Sequence, residues 1–153
     1  MGAAFFYHLT RSPLEEALPM ILTRALDRGW RVEVRGREAA LMDRLDAQLW
    51  LRPEEGFLPH GRAGGPHDAD QPVLLTAGEP AANEAACVIC VDEAPLEAGE
   101  VAALERACVI FDGGDAAAVE GARDRWRTLT GAGCAAEYWS QESGRWEKKA
   151  EAG

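Results

Sequence analysis

The sequence predicts an α/β protein in which helices flank a mostly parallel sheet on both faces. Segments with strand character alternate with amphipathic helical segments along the chain. The inner strand segments at 72–76, 87–91 and 108–112 are mostly apolar, which is typical of parallel strands covered on both faces. No internal repeat or linker interrupts this alternation, so we expect one domain over residues 1–141 and a polar tail over 142–153.

The first part of the chain predicts a strand, a helix and a second strand. Residues 3–9 are apolar and aromatic, as in a buried strand. The run Ser-Pro-Leu-Glu that starts at Ser12 has the pattern of a capping box, so we expect Ser12 to cap the helix. The apolar periodicity continues past Pro19, which predicts a kink rather than a break, and Gly29 is expected to end the helix. The alternating residues 30–35 predict the second strand.

A second amphipathic helix is expected next, followed by an irregular segment that holds large apolar side chains. Loops usually run over the surface and are polar. Large apolar side chains in such a segment either cover the core or form a surface for a partner. Both alternatives are open for Trp50, whereas Phe57 favours a partner surface. The helix is expected over 37–50 with Ala40, Leu41, Leu45 and Leu49 inward, and the irregular segment over 51–72.

The last third of the chain predicts two helices and a final strand. A short helix is expected near 97–106, and a longer one over 115–130 with Asp115 at its cap. Residues 135–140 predict the final strand. The polar residues after it are expected to be flexible, although Trp146 could dock back onto the domain.

Three positive charges surround a tryptophan on the long helix. Helical spacing places Arg123, Trp126 and Arg127 on one face. The ring is then either part of the core with a charged rim, or the wall of a pocket. Such a pocket suits a peptide with acidic side chains, a last apolar residue and a free carboxylate. Arg125 points elsewhere and is expected to be solvated or paired with a carboxylate, either Asp124 or Glu137.

Charge and hydropathy exclude several classes of partner. The chain has 26 acidic and 16 basic residues and a net charge of −10, which argues against direct binding of nucleic acid. No apolar run approaches the roughly 20 residues that span a bilayer, so no membrane contact is expected. The first residues lack the features of a signal peptide, and we expect a cytoplasmic location.

Enzymatic motifs are missing from the sequence. It contains neither of the two phosphate-binding motifs, G-x-x-x-x-G-K-[ST] and G-x-G-x-x-G after the first strand. The nucleophile elbow G-x-S-x-G and the zinc motif H-E-x-x-H are also missing. The run "FDGGD" places glycines before a helix, but Asp112 and Asp115 would repel a phosphate. An alternative function is that of a nucleotide-dependent α/β enzyme with degenerate motifs. This alternative is supported only by the fold class and by the run "FDGGD".

No metal or cofactor is expected. Cys87 and Cys90 lie on one strand at positions that face opposite sides, so they cannot chelate zinc together, and reduced core thiols are the favoured interpretation. His60 and His67, with a nearby aspartate at 68 or 70, form a weaker metal hypothesis than solvated loop residues.

Five sequence stretches, taken together, resemble the chi subunit of bacterial DNA polymerase III. The most specific is "LW-x-x-P-x-x-x-F-x-PH-x-x-AG" at 49–64, which a general α/β pattern does not require. The others are "FYHL" at 6–9, "QPVLLT" at 71–76, "FDG" at 111–113 and "AR-x-RW-x-x-x-x-x-AG" at 122–133.

This resemblance implies a non-catalytic accessory protein of the clamp loader, located with the replisome in the cytoplasm. Its fold would be nucleotide-binding-like but without a phosphate-binding loop. The family positions that bind the acidic C-terminal tail of single-stranded-DNA-binding protein fall on Arg123, Trp126 and Arg127. The family surface for the psi subunit falls on Trp50, Phe57 and Pro59. A helicase is considered as a further partner, and no cofactor is implied.

Overall fold

The computed structural model describes residues 2–51 and 58–153 and confirms the α/β fold class. Across these residues one open sheet of eight strands runs in the order β3-β4-β2-β5-β6-β1-β7-β8. Neighbouring strands are parallel except for the antiparallel pair β7 and β8. The elements are β1 (Ala3–Leu9), α1 (Leu14–Asp27), β2 (Val32–Arg35), α2 (Ala39–Trp50), β3 (Gly61–Arg62), β4 (Val73–Thr76), β5 (Cys87–Cys90), α3 (Ala98–Ala103), β6 (Arg106–Asp112), α4 (Ala116–Gly131), β7 (Ala135–Ser140) and β8 (Glu147–Ala152).

The two faces of the sheet carry separate apolar cores. Helices α1 and α2 cover one face, and helices α3 and α4 cover the other. Successive side chains of a strand point to opposite faces, so Phe6 belongs to the α4 side and Tyr7 to the α1 side. The same alternation separates Cys87 from Cys90, as predicted. All four cysteines are free thiols, and burial raises the pKa of Cys90 to about 12.

Helix α1 begins differently from the prediction. Pro13 occupies the N-cap position and no side chain caps the helix, so the capping box expected at Ser12 is wrong. The Ser12 hydroxyl instead accepts a hydrogen bond from Gln141 Nε2 at 3.2 Å. The Gln141 side-chain oxygen accepts the backbone N–H groups of Thr10, Arg11 and Ser12 at 2.9–3.0 Å. The turn before α1 is therefore held by a glutamine distant in the chain, and not by the local side-chain cap that the sequence predicted.

The rest of α1 follows the prediction, and α2 departs from it only in its first turn. Helix α1 continues through Pro19, as expected. In α2, Leu45 and Leu49 are buried, but Ala40 is exposed and Met42 takes the inward position. The Asp92 carboxylate accepts the backbone N–H groups of residues 37 and 38, and the helix starts at 39, two residues later than predicted.

Two strands were not predicted. The short strand β3 lies within the segment expected to be irregular. Strand β8 lies within the tail expected to be flexible, and it pairs with β7. Trp146, immediately before β8, packs edge-on against Tyr7 with 5.3 Å between ring centroids. Backbone pairing and burial of this ring order a segment whose side chains are mostly polar.

Candidate functional site

Helix α4 is positioned by its cap and by its buried face. The Asp115 carboxylate accepts the N–H groups of Ala117 and Ala118 at 3.0 and 3.3 Å, as the sequence predicted. The residues that pack against the sheet are small or apolar. Because this face is fixed, the arginine-bearing face turns toward solvent. The buried residues are Ala118, Ala122 and Leu129.

Trp126 is partly a core residue and partly a surface residue. Its side chain is half-buried. The ring packs edge-on against Phe6, which is fully buried, at 5.3 Å between centroids. It also meets Tyr138 on β7 at 6.1 Å. Part of the ring therefore belongs to the core and holds the orientation of the part that reaches the surface.

The two neighbouring arginines are exposed and carry their own counterions. Arg123 lies 3.5 Å from Glu120, and Arg127 lies 2.6 Å from Asp124. Both arginine side chains are 65% exposed. Exposed ion pairs of this kind contribute little free energy because water solvates the separated charges well. An incoming carboxylate can therefore replace the helix's own carboxylates at small cost.

Arg125 has a structural contact that the sequence did not predict. Its Nη1 donates a hydrogen bond to the carbonyl oxygen of Ala94 at 2.6 Å. The expectation that Arg125 is solvated, or paired with Asp124 or Glu137, is wrong. Its guanidinium crosses from α4 to the loop after β5, because half-burial favours a partner for its N–H groups.

The sequence missed two residues beside Trp126. The hydroxyl of Tyr138 lies 2.6 Å from Nδ1 of His8, and the His8 ring stacks on Phe111 with centroids 4.9 Å apart. Burial lowers the pKa of His8 below its ordinary value; Arg123 adds to this, while Glu142 and Asp112 oppose it. Burial also raises the pKa of Tyr138. We call Arg123, Trp126, Arg127 and Tyr138 the α4 surface.

A second surface lies at the end of α2. Trp50 is 52% exposed and Leu51 is 76% exposed, so Trp50 is a surface residue rather than a core residue. The Trp50 ring lies 4.2 Å from the ring of His60, which is buried. Pro59, the residue before His60, is half-buried, and Phe57 lies outside the described residues. We call Trp50, Leu51 and Pro59 the α2 surface.

The ring of His60 supports this surface and is held by the backbone. Its ring nitrogens lie 2.6 Å from the carbonyl oxygen of Leu58 and 3.1 Å from that of Asp46. Asp68 accepts the backbone N–H groups of Gly64 and Gly65. Within residues 2–51 and 58–153, no three side chains of the metal-binding types come together. His60 and Asp68 thus hold the backbone of this loop.

The carboxyl ends of the central strands form an acidic cavity. In open α/β sheets this edge is where nucleotides bind. Here a cavity of about 390 Å³ is lined by Asp92, Glu93, Asp112 and Asp115 among others. Asp115 binds the first N–H groups of α4, and Asp112 accepts the N–H of Gly114 at 2.8 Å. Carboxylates therefore occupy the donors that a phosphate would need.

The comparisons with known proteins agree with the motifs. A family model described as "DNA polymerase III chi subunit, HolC" matches residues 1–137, which run from β1 into β7. The chain belongs to this family. The family consists of non-catalytic accessory subunits, so this chi subunit is an accessory subunit that binds within the DNA polymerase III complex. A comparison with curated proteins gives no match. None of the helices in the described part of this chi subunit has the length and apolar character to cross a membrane.

Proposed function

We propose that this chi subunit binds the acidic C-terminal tail of single-stranded-DNA-binding protein on the α4 surface. The observation that carries the proposal is the pair of exposed arginines, Arg123 and Arg127, one helical turn apart beside a tryptophan whose ring is held by the core. A tail that ends in an apolar residue offers a side chain for the ring and carboxylates for both arginines.

The chemistry of each contact follows from the geometry of α4. The last side chain of the tail packs on Trp126 and Tyr138, because these rings are already ordered and lose little conformational freedom. The tail carboxylates replace Glu120 and Asp124 as partners of the arginines. Since the arginine charges are exposed and attract the tail carboxylates through water, the affinity should fall as the salt concentration rises.

The test is the affinity of a fluorescent tail peptide measured by anisotropy. Arg127→Ala should weaken binding by about 1–3 kcal/mol, because a charge-assisted hydrogen bond is lost. Arg44→Ala is a matched control, because Arg44 is exposed on α2 and forms no ion pair with any described residue. Equal affinities of wild type and Arg127→Ala would exclude the α4 surface as the tail site.

The α2 surface is proposed to join the psi subunit or another clamp-loader component, with a helicase as a further partner. Exposure of Trp50 and of the neighbouring Leu51 supports this, because adjacent exposed apolar side chains are typical of interaction sites. Trp50→Ala should abolish co-purification with the clamp loader and retain binding of the tail peptide. Loss of both activities would contradict two separate surfaces. In this way the subunit would connect protein-coated single strands to the clamp loader.

A further inference from the structure

A groove rich in arginine lies beside α1, on the face of the sheet opposite to α4. Its volume is about 570 Å³. It opens where α1 ends and where β1, β5 and β6 begin, and β7 with the residue before β8 forms its far wall. Three arginines and three tryptophans line it. We call this the α1 groove, and these residues are Arg24, Arg28, Arg106, Trp30, Trp139 and Trp146.

The arginine side chains of the α1 groove form no ion pair with any described residue. Among the described residues, no carboxylate lies within 4.0 Å of the guanidinium groups of Arg24, Arg28 or Arg106, and none of these guanidinium groups donates a hydrogen bond to a described residue. The three arginines outnumber the two carboxylates that also line the groove, which leaves a local excess of positive charge in a protein with 26 acidic residues. Such an excess is complementary to an anionic ligand.

Aromatic rings hold two of these guanidinium groups in place. The Arg106 guanidinium lies over the Phe5 ring at 4.0 Å and over the Trp30 ring at 5.2 Å. The Arg28 guanidinium also lies 5.2 Å from the Trp30 ring. A guanidinium stacked on a ring keeps its N–H edge available, so it can still donate two parallel hydrogen bonds to a carboxylate. The charge is therefore pre-positioned without being neutralised.

The far wall of the α1 groove comes from residues beyond the family match. Trp139 lies on β7, and Trp146 precedes β8 and packs edge-on against Tyr7. Both follow residue 137, where the match ends. Their rings line the same groove as the arginines and offer apolar area to a large side chain. The groove thus presents both positive charge and aromatic surface.

Two features favour a peptide over a nucleic acid as the occupant. Two carboxylates, Asp27 and Glu137, also line the groove, and Glu137 accepts the indole N–H of Trp139 at 3.0 Å. A nucleic-acid backbone carries a negative charge at every nucleotide, whereas a peptide can place neutral residues beside these carboxylates and acidic ones beside the arginines. Tryptophan and arginine are also among the side chains that contribute most to protein–protein binding.

We propose that the α1 groove binds a segment of a partner protein in which acidic side chains flank a large aromatic one. The acidic side chains bind Arg28 and Arg106, and the aromatic side chain packs between Trp139 and Trp146. This site is separate from the α4 surface, because the sheet lies between them. It needs no terminal carboxylate and does not depend on the function proposed for α4.

A capped peptide tests the α1 groove alone. The probe is fluorescein-labelled Asp-Glu-Trp-Glu-Phe-Asp with an amidated C-terminus, which removes the carboxylate that the α4 surface is proposed to bind. Anisotropy should show saturable binding to the full chain. Arg28→Gln and Arg106→Gln should each weaken it about tenfold or more, as expected for a lost charge-assisted hydrogen bond. Arg44→Gln and Arg127→Ala should leave it unchanged.

Several outcomes would overturn the proposal. These are no saturable binding to wild type, equal binding by the Arg28→Gln variant, or equal binding of a peptide with Asn and Gln in place of its acids. A labelled oligothymidylate serves as the second probe. If it binds wild type and loses affinity in both groove variants, while the capped peptide does not bind, the occupant of the groove is single-stranded nucleic acid and not a peptide. Arg28 is exposed at the end of α1, so its variant keeps the test valid if Arg106→Gln fails to fold.

Discussion

The α4 surface and the α1 groove contain the same chemical groups in different electrostatic states. On α4, Arg123 and Arg127 are exposed and paired with carboxylates of their own helix. In the groove, Arg28 and Arg106 stack on rings and have no acidic partner among the described residues. A ligand must displace an internal carboxylate at the first site and meets free positive charge at the second. Arginine and tryptophan in proximity therefore do not define one kind of site.

The two sites are linked through the alternation of strand β1. Phe6 supports Trp126 on the α4 side, and Tyr7 supports Trp146 on the α1 side. Adjacent residues of one strand thus hold the aromatic walls of two surfaces that face in opposite directions. Substitutions at these positions should affect the surfaces one at a time.

The largest effect is expected from Phe6→Ala. Phe6 is fully buried under Trp126, so its removal should lower the free energy of unfolding by about 3–5 kcal/mol and release the tryptophan ring. Urea denaturation measures the stability, and tail-peptide anisotropy measures the surface. Phe6→Leu should cost less, as a volume control. A folded Phe6→Ala protein that binds the tail normally would show that the ring needs no support from β1.

A smaller effect is expected from removing the internal competitor of Arg127. Asp124→Asn should strengthen binding of the tail peptide by about 0.2–1 kcal/mol, because the exposed ion pair no longer has to be broken. Glu120→Gln should have less effect, since its distance to Arg123 is longer. Neither change should alter binding of the capped peptide. A weaker affinity in Asp124→Asn would mean that the aspartate orients Arg127 rather than competing for it.

The smallest effect is expected from His8, which lies on the α4 side. The pKa of His8 in the folded state is lowered from its ordinary value of 6.5, chiefly by burial. Below pH 6.5 the unfolded chain therefore binds more protons at this residue than the folded protein does. Stability should therefore fall as the pH drops through 6.5 toward the lower pKa of the folded state, and His8 should contribute nothing above that window. His8→Gln should flatten this fall in a series of thermal melts, and an unchanged series would assign the dependence to other groups.

Elements with local signals were the predictable part of the fold. Residues 3–9 and 135–140 were predicted as β1 and β7 with the observed ends, and Asp115 was predicted as the cap of α4. The error at Ser12 has a physical reason, since Gln141, far along the chain, supplies the hydrogen bonds of that turn. Strand β8 was missed because its polar side chains carry no strand pattern and its order comes from pairing with β7.

The candidate sites show the same limit. The spacing on α4 was sufficient to place Arg123, Trp126 and Arg127 beside one another. Tyr138 and His8 come from two other strands, and their proximity depends on the register of β1 with β7. The α1 groove assembles residues from α1, from the turn after it, from β1, β5, β6 and β7, and from the residue before β8, so no local pattern could indicate it. The sequence singled out Trp146 as a residue that could dock onto the domain, but gave no sign of the groove.

Strand β8 also has a consequence for how partners can attach. An unprotected sheet edge invites a foreign strand to extend the sheet, which is a common route to peptide capture and to aggregation. One edge of this sheet is β8, with Lys148, Lys149 and Glu151 exposed, and the other is the two-residue strand β3. Charged side chains protect the first edge, and the second is too short to template a foreign strand. Backbone-mediated docking is thereby disfavoured, and partners have to recognise this subunit through its side chains.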